Sequence, residues 1–227
     1  FKNYGLLPYQ DDSYFQPVSG ALSLSNGDNI IGIIPSKYAN NTQSIVIGAH
    51  YDHLGTSLNG QFYPGANDNA SGTSVVMEIA RVLSSSILLS RIDIIFIAFT
   101  GEEQGLYGSK YYAEHPLRPI SDMQAMINLD MVGTGNGVWE IATNFPNHEP
   151  YRSNYQKAIR EYNIKSKDAG WLTKPVTDHY PFYQKGVPIL CLLKENPSNI
   201  GGYHTFQDSL ETIDAKNLEE CGKFSLF

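Results

Sequence analysis

The chain has 227 residues, 41% of them hydrophobic, which is enough for a packed core and too many for a disordered or fibrous chain. Sixteen basic residues against twenty-three acidic ones give a net charge of −7 with no Lys/Arg cluster, which argues against nucleic acid as a partner. The longest apolar runs, Ile92–Phe99 and Val187–Leu193, fall far short of the ~20 residues a membrane-spanning helix needs, so no membrane span is expected.

Residues 1–28 hold Pro8, Pro17, Gly20 and Gly27 among polar residues and read as an irregular lead-in to one domain over 29–227. Strands are expected at Asn29–Pro35 and Ser44–Ala49, joined as a hairpin through the polar segment Ser36–Gln43. After the loop Gly55–Gly65, the segment Ser71–Ser86 places Val75, Val76, Ile79, Val82 and Leu83 on one face, with Asn69 or Ser71 as the N-cap. A helix starts there. Ile92–Thr100, rich in Ile and Phe, suits a strand buried on both faces. Further strands are expected at Ala125–Asp130, Trp139–Thr143 and Val187–Lys194, and helices at Gly105–His115, Pro150–Ile164, His179–Gln184 and Ala215–Phe224. This alternation predicts a single-domain α/β three-layer sandwich, its mixed and largely parallel sheet covered by helices on both faces.

Two cysteines, Cys191 and Cys221, cannot form a disulfide framework, and Cys191 in its apolar run reads as a small buried hydrophobe. The chain begins at Phe1 rather than Met, and Lys and Arg are sparse while Asn, Ser, Tyr and Gly are plentiful. A secreted or periplasmic monomer is the expectation.

In folds of this class, sites gather at the carboxyl ends of strands. His50 and Asp52 follow the second strand, Asp68 precedes the first long helix, Glu102 and Glu103 follow the buried strand, Asp130 closes the next, and His204 sits in Gly201–Thr205. Two histidines and several carboxylates with few thiols form a nitrogen and oxygen donor set suited to zinc or another first-row divalent ion. Each has a plainer account by itself. His50 could be satisfied by a nearby carboxylate, Asp68 could cap a helix, Glu102 and Glu103 could complement a helix dipole, and His204 could be a loop histidine. Asp130 differs, because an aspartate directly after the apolar Met126–Leu129 needs a cation or hydrogen-bond donors. His53, His115, His148 and His179 have no such convergent setting and read as solvated or packing residues.

His50-Tyr51-Asp52, the stretch Pro64–Gly72, the stretch Gly101–Ser109, Asn128-Leu129-Asp130 and Tyr203-His204-Thr205 together resemble the ordered motifs of the co-catalytic zinc aminopeptidase family, which also holds the glutaminyl cyclases and glutamate carboxypeptidases. The resemblance runs from about residue 28 to 214 and implies a zinc peptidase catalytic domain. It implies two Zn2+ ions, one held by His50, Asp68 and Asp130 and the other by Asp68, Glu103 and His204, with Asp68 bridging. It further implies Glu102 as general base, Tyr203 as the phenol facing a developing oxyanion, Asp52 as the carboxylate that orients His50, and Asp178 as an acidic residue behind the ligands or in the substrate pocket. The implied activity is hydrolysis of peptides from a free N-terminus. Asn69 stands where many members carry a second Asp, and Gly55–Gly65 leaves no room for the insertion of the longer branches. A one-zinc cyclase and an inactive peptidase fold are the alternatives. The first-residue preference is expected to be apolar; Tyr63, Phe145, Trp171 and Phe182 are candidate pocket aromatics, with plain packing the favoured account of each.

Overall fold

The computed structural model describes residues 1–19, 27–38, 40–85, 91–149, 151–194 and 202–226. Among these residues nine strands join one sheet: β1 (Leu7–Pro8), β2 (Phe15–Pro17), β3 (Asp28–Ile34), β4 (Ser44–His50), β5 (Asp93–Phe99), β6 (Met123–Leu129), β7 (Trp139–Thr143), β8 (Ser166–Asp168) and β9 (Ile189–Lys194). The α-helices among the described residues are α1 (Gly72–Ser85), α2 (Tyr107–Glu114), α3 (Tyr151–Glu161), α4 (His179–Gln184) and α5 (Ala215–Ser225). Across the sheet the order is β1-β3-β5-β4-β6-β9-β7-β8, with β2 also paired to β3. The central β5, β4, β6 and β9 are parallel neighbours, and β3 and β7 flank them antiparallel.

The expected α/β sandwich is present, and alternation along the strands explains it. Successive side chains point to opposite faces. Ile47, Phe96, Ile127 and Leu190 therefore pack with Val75, Val76 and Ile79 of α1 and Phe224 of α5. Val46, Ile95, Ile97, Met126 and Ile189 pack on the other face with Tyr112 of α2 and Phe182 of α4. Both faces are apolar because both are covered. Cys191 and Cys221 are buried free thiols, as expected of Cys191.

Three differences from the sequence reading concern strands. The expected β3–β4 hairpin does not form: β5 lies between them, antiparallel to β3 (Ile31 opposite Ile97) and parallel to β4 (Val46 opposite Ile95). The physical reason is that the apolar β5 needs partners on both edges as well as cover on both faces. The nine-residue connection over 35–43 is long enough to span the roughly 10 Å of one skipped strand. Residues 1–28, read as irregular, supply β1 and β2 to the antiparallel edge. At the opposite edge β8, polar and exposed throughout, escaped the apolar-pattern reading. The ends of the expected helices at Ser86 and Pro150, and Gly201, lie outside the described residues. Among the described residues no helix is long and apolar enough to cross a membrane.

Candidate metal centre

The carboxyl ends of β4, β5 and β6 lie side by side, so His50, the Glu102–Glu103 turn and Asp130 emerge at one edge of the sheet. Asp68 comes from the segment Ala66–Ser71 that leads into α1, where the Asp68–Asn69 peptide is cis. Asn69 locks that segment to the sheet. Its amide donates to the Leu129 carbonyl at 2.9 Å, and its oxygen accepts from Gly72 and Met131 N–H groups at 3.0 and 3.2 Å. An amide can do both and a carboxylate only accepts, which accounts for Asn at this position. Gly72 permits the approach, since a Cβ there would lie 2.4 Å from the Leu129 carbonyl oxygen. Asn67 reaches the other way, accepting from the N–H groups of Gly133 and Thr134 at 2.9 Å each.

The structure brings together the residues that the motifs single out. His50, Asp68, Glu102, Glu103, Asp130, Tyr203 and His204 all line one pocket of about 560 Å³. Within it the two oxygens of Asp68 face different neighbours. Oδ1 lies 3.3 Å from His50 Nε2, which is itself 3.5 Å from Asp130 Oδ1. Oδ2 lies 3.2 Å from His204 Nε2, which is 3.1 Å from Glu103 Oε2. His50, Asp68 and Asp130 are all buried, and Asp68 Oδ2, Asp130 Oδ1 and His204 Nε2 have no hydrogen-bond partner among the described residues. Tyr203 stacks on His204 with ring centroids 3.8 Å apart.

Asp52 and Asp178 sit behind the pocket, and Asp52 acts differently from the expectation. His50 Nδ1 is 3.1 Å from the Asp52 backbone carbonyl and 3.8 Å from its carboxylate, so the ring donates to the carbonyl. That contact places a proton on Nδ1 and turns Nε2 towards Asp68 and Asp130. The Asp52 carboxylate instead accepts the N–H groups of Glu102 and Glu103 at 3.1 and 3.2 Å, because the turn after β5 exposes two unpaired donors to it. Asp178 is fully buried at the start of α4, makes no capping hydrogen bond, and has neither carboxylate oxygen partnered among the described residues.

Two residues went unread in the sequence. His53, assigned no convergent setting, lies in the site with Nδ1 2.9 Å from Glu103 Oε1 and 3.8 Å from Asp68 Oδ2. Its place in His50-Tyr51-Asp52-His53 was the available signal. Asp208, four residues after His204, is buried and accepts the backbone N–H groups of Asn67 at 2.6 Å and Asp68 at 3.0 Å. The aromatic candidates take the packing roles expected of each. Phe145 and Phe182 belong to the two cores, Trp171 packs on His179, and Tyr63 stacks on Phe206. The pocket wall away from the donor sets is formed by Met131, Val176 and Leu193 with Glu140, Lys167 and Lys194, because the sheet register and not aromatic character decides which side chains face it.

The electrostatics show a deficit of positive charge. Burial pushes the Glu102 carboxyl up to about 10, helped by the charges of Asp178 and Asp130, and pushes Asp178 up to about 7. Burial likewise raises Asp52 and Asp68. His50 is driven well above its ordinary range: burial opposes this, but the carboxylates of Asp130 and Asp68 outweigh it. Carboxylates crowded into a dry site repel one another unless a cation sits among them.

A mixed sheet presenting imidazole and carboxylate donors in two adjoining sets at its strand ends defines a protein built to hold hard or borderline divalent ions. The family model of Peptidase family M28 matches residues 29–226, and the chain belongs to that family. It is 35% identical over 212 residues to aminopeptidase YwaD of Bacillus subtilis, a match covering 89% of this chain and 44% of that protein. Over 94 residues it is 46% identical to a probable zinc metalloprotease of Pyrenophora tritici-repentis, covering 40% of this chain and 19% of that one. Among solved structures, the zinc aminopeptidase BSAP of Bacillus subtilis superposes with TM-score 0.71 at 31% identity, covering 87% of this chain and 48% of that one. The LapA aminopeptidase of Legionella pneumophila shares the fold, with TM-score 0.76 at 23% identity over 99% of this chain and 58% of that one. The chain spans about half the length, or less, of the curated relatives named here.

Proposed function

We propose that this chain is a two-zinc aminopeptidase catalytic domain that releases N-terminal residues from peptides. The observation that carries the proposal is the division of Asp68: each oxygen converges with a separate histidine and a separate acidic residue, and Asp68 Oδ2, Asp130 Oδ1 and His204 Nε2 have no hydrogen-bond partner among the described residues. The residues fit a metal pair on that ground. His50, Asp68 and Asp130 would hold one ion, and Asp68, Glu103 and His204 the other. When bound, the ions supply Lewis acidity towards a water nucleophile and a scissile carbonyl.

The chain's own groups do the rest. Glu102 lines the pocket beside both donor sets, where, with cations offsetting the neighbouring carboxylates, its own carboxylate can take a proton from the attacking water and pass it to the leaving amine. The Tyr203 phenol, pushed up to about 12 by burial and the carboxylates around it, stays protonated and can donate to the oxyanion that develops on the carbonyl. The acidic lining favours a substrate with a free amine, and the Met131, Val176 and Leu193 wall supports an apolar first residue. Composition, poor in Lys and Arg and rich in Asn, Ser, Tyr and Gly, supports a secreted or periplasmic protein, and we take a monomer as the working state.

The test is hydrolysis of leucyl amide and N-acetyl-leucyl amide, with metal content measured on the same samples. Cleavage of the free amide with two ions per chain, and little cleavage of the acetylated one, is the expected result. Equal rates on both amides would overturn the exopeptidase reading.

A further inference from the structure

The two oxygens of Glu103 are treated differently by two histidines. Oε2 lies 3.1 Å from His204 Nε2, yet that nitrogen forms no hydrogen bond to it or to Asp68 Oδ2, so the three atoms converge on a common point and not on each other. Oε1 lies 2.9 Å from His53 Nδ1 in hydrogen-bonding geometry. A carboxylate only accepts, so the proton of that contact belongs to His53. The ring is clamped in place. A Cβ on Gly65 would sit 2.8 Å from its atoms, and it meets Tyr63 and His204 edge to face with centroids 6.4 and 5.8 Å apart.

We infer that His53 is a positioning residue, not a ligand: its Nδ1 proton ties down Glu103 Oε1 and so presents Oε2 to the second ion. The inference rests on the two-metal reading above. A carboxylate without this restraint would rotate, and the second ion would lose the fixed oxygen that completes its donor set with Asp68 and His204. Partners that orient a ligand in this way typically change metal affinity by about 10–100-fold when removed. Direct ligation by His53 Nδ1 is the competing account, since Nδ1 also lies 3.8 Å from Asp68 Oδ2 and the three residues could surround an ion. It would put the nitrogen lone pair against a carboxylate oxygen at 2.9 Å, where a hydrogen bond already accounts for the geometry.

The experiment uses the full chain, stripped with a chelator and titrated with Zn2+ against a chromophoric competitor that resolves both dissociation constants. In His53→Asn the side-chain amide nitrogen takes the place of Nδ1 and keeps a donor towards Glu103, while Asn is a poor zinc ligand. His53→Ala removes donor and ring together. The expected result is that Ala weakens the second ion about 10–100-fold and leaves the first within about threefold, whereas Asn holds both near wild type. If Asn weakens the second ion as much as Ala does, His53 is a ligand and the inference is overturned. Unchanged second-ion affinity in Ala overturns it too. Should Ala fail to fold, the Asn variant decides on the same criterion. A wild-type chain that binds a single ion would defeat the two-metal reading and this inference with it, an outcome distinct from a change confined to the variants.

Discussion

Replacing Asp208 with Ala should destabilise the metal-free protein strongly, although Asp208 faces no substrate. Its buried carboxylate accepts the N–H groups of Asn67 and Asp68 at 2.6 and 3.0 Å, and both of those residues are buried. Each hydrogen bond to a charged acceptor contributes about 1.5–3 kcal/mol, so losing the pair should cost about 3–6 kcal/mol. In a domain of this size, where each kcal/mol moves Tm by about 2–4 °C, that is a fall of roughly 6–24 °C. Asp208→Asn retains one oxygen and should lose about half as much. Thermal and denaturant unfolding should be followed with chelator present, so that metal binding does not contribute to the difference. Zinc titration of the same variant then reads the second consequence: both affinities should fall, because the backbone that carries the bridging Asp68 is no longer tethered. A loss under about 1 kcal/mol would refute the energetic argument, and unchanged affinity for both ions would refute the positioning argument.

The two neighbouring glutamates should separate cleanly: Glu102→Gln should keep both ions while kcat falls by roughly 10²–10⁴-fold, and Glu103→Gln should weaken zinc binding, as activity and metal content measured together will report. Asp178 is raised by burial to about 7, so the folded chain holds a proton there that the unfolded chain has released above about pH 4. Its contribution to stability is therefore lost as pH rises from about 4 to 7, and in chelated protein Asp178→Asn should flatten that decline; an unchanged pH profile of denaturant midpoints would contradict it. Gly72→Ala should destabilise by roughly 1–3 kcal/mol in spite of alanine's better helix propensity, because its Cβ would lie 2.4 Å from the Leu129 carbonyl oxygen. A neutral or stabilising result in chemical denaturation would show that the start of α1 can move away from β6 without cost.

The donor residues were legible in the amino-acid order because the fold turns order into proximity. Parallel strands bring their carboxyl ends to one edge, so polar residues that close an apolar run or lie in the turn after it, as His50, Asp130 and Glu103 do, meet there. The apolar patterns of β5, β6 and β9 likewise announced a sheet covered on both faces. Which strand pairs with which was not legible. Nothing local to β3 and β4 reveals that β5 will enter between them, since the gain comes from burying a third strand distant in sequence. The same limit hid Asp208, whose hydrogen bonds span about 140 residues, and His53, which reads as one more polar loop residue until β4 and β5 carry it to Glu103, 50 positions further on. Asp52 shows the limit most finely. Its residue type marked it as a partner for His50, but only the path of the turn after β5 decided that its carboxylate would hold the Glu102 and Glu103 backbone and its carbonyl the histidine, because unpaired N–H groups draw a half-buried carboxylate more strongly than an imidazole already satisfied by a carbonyl.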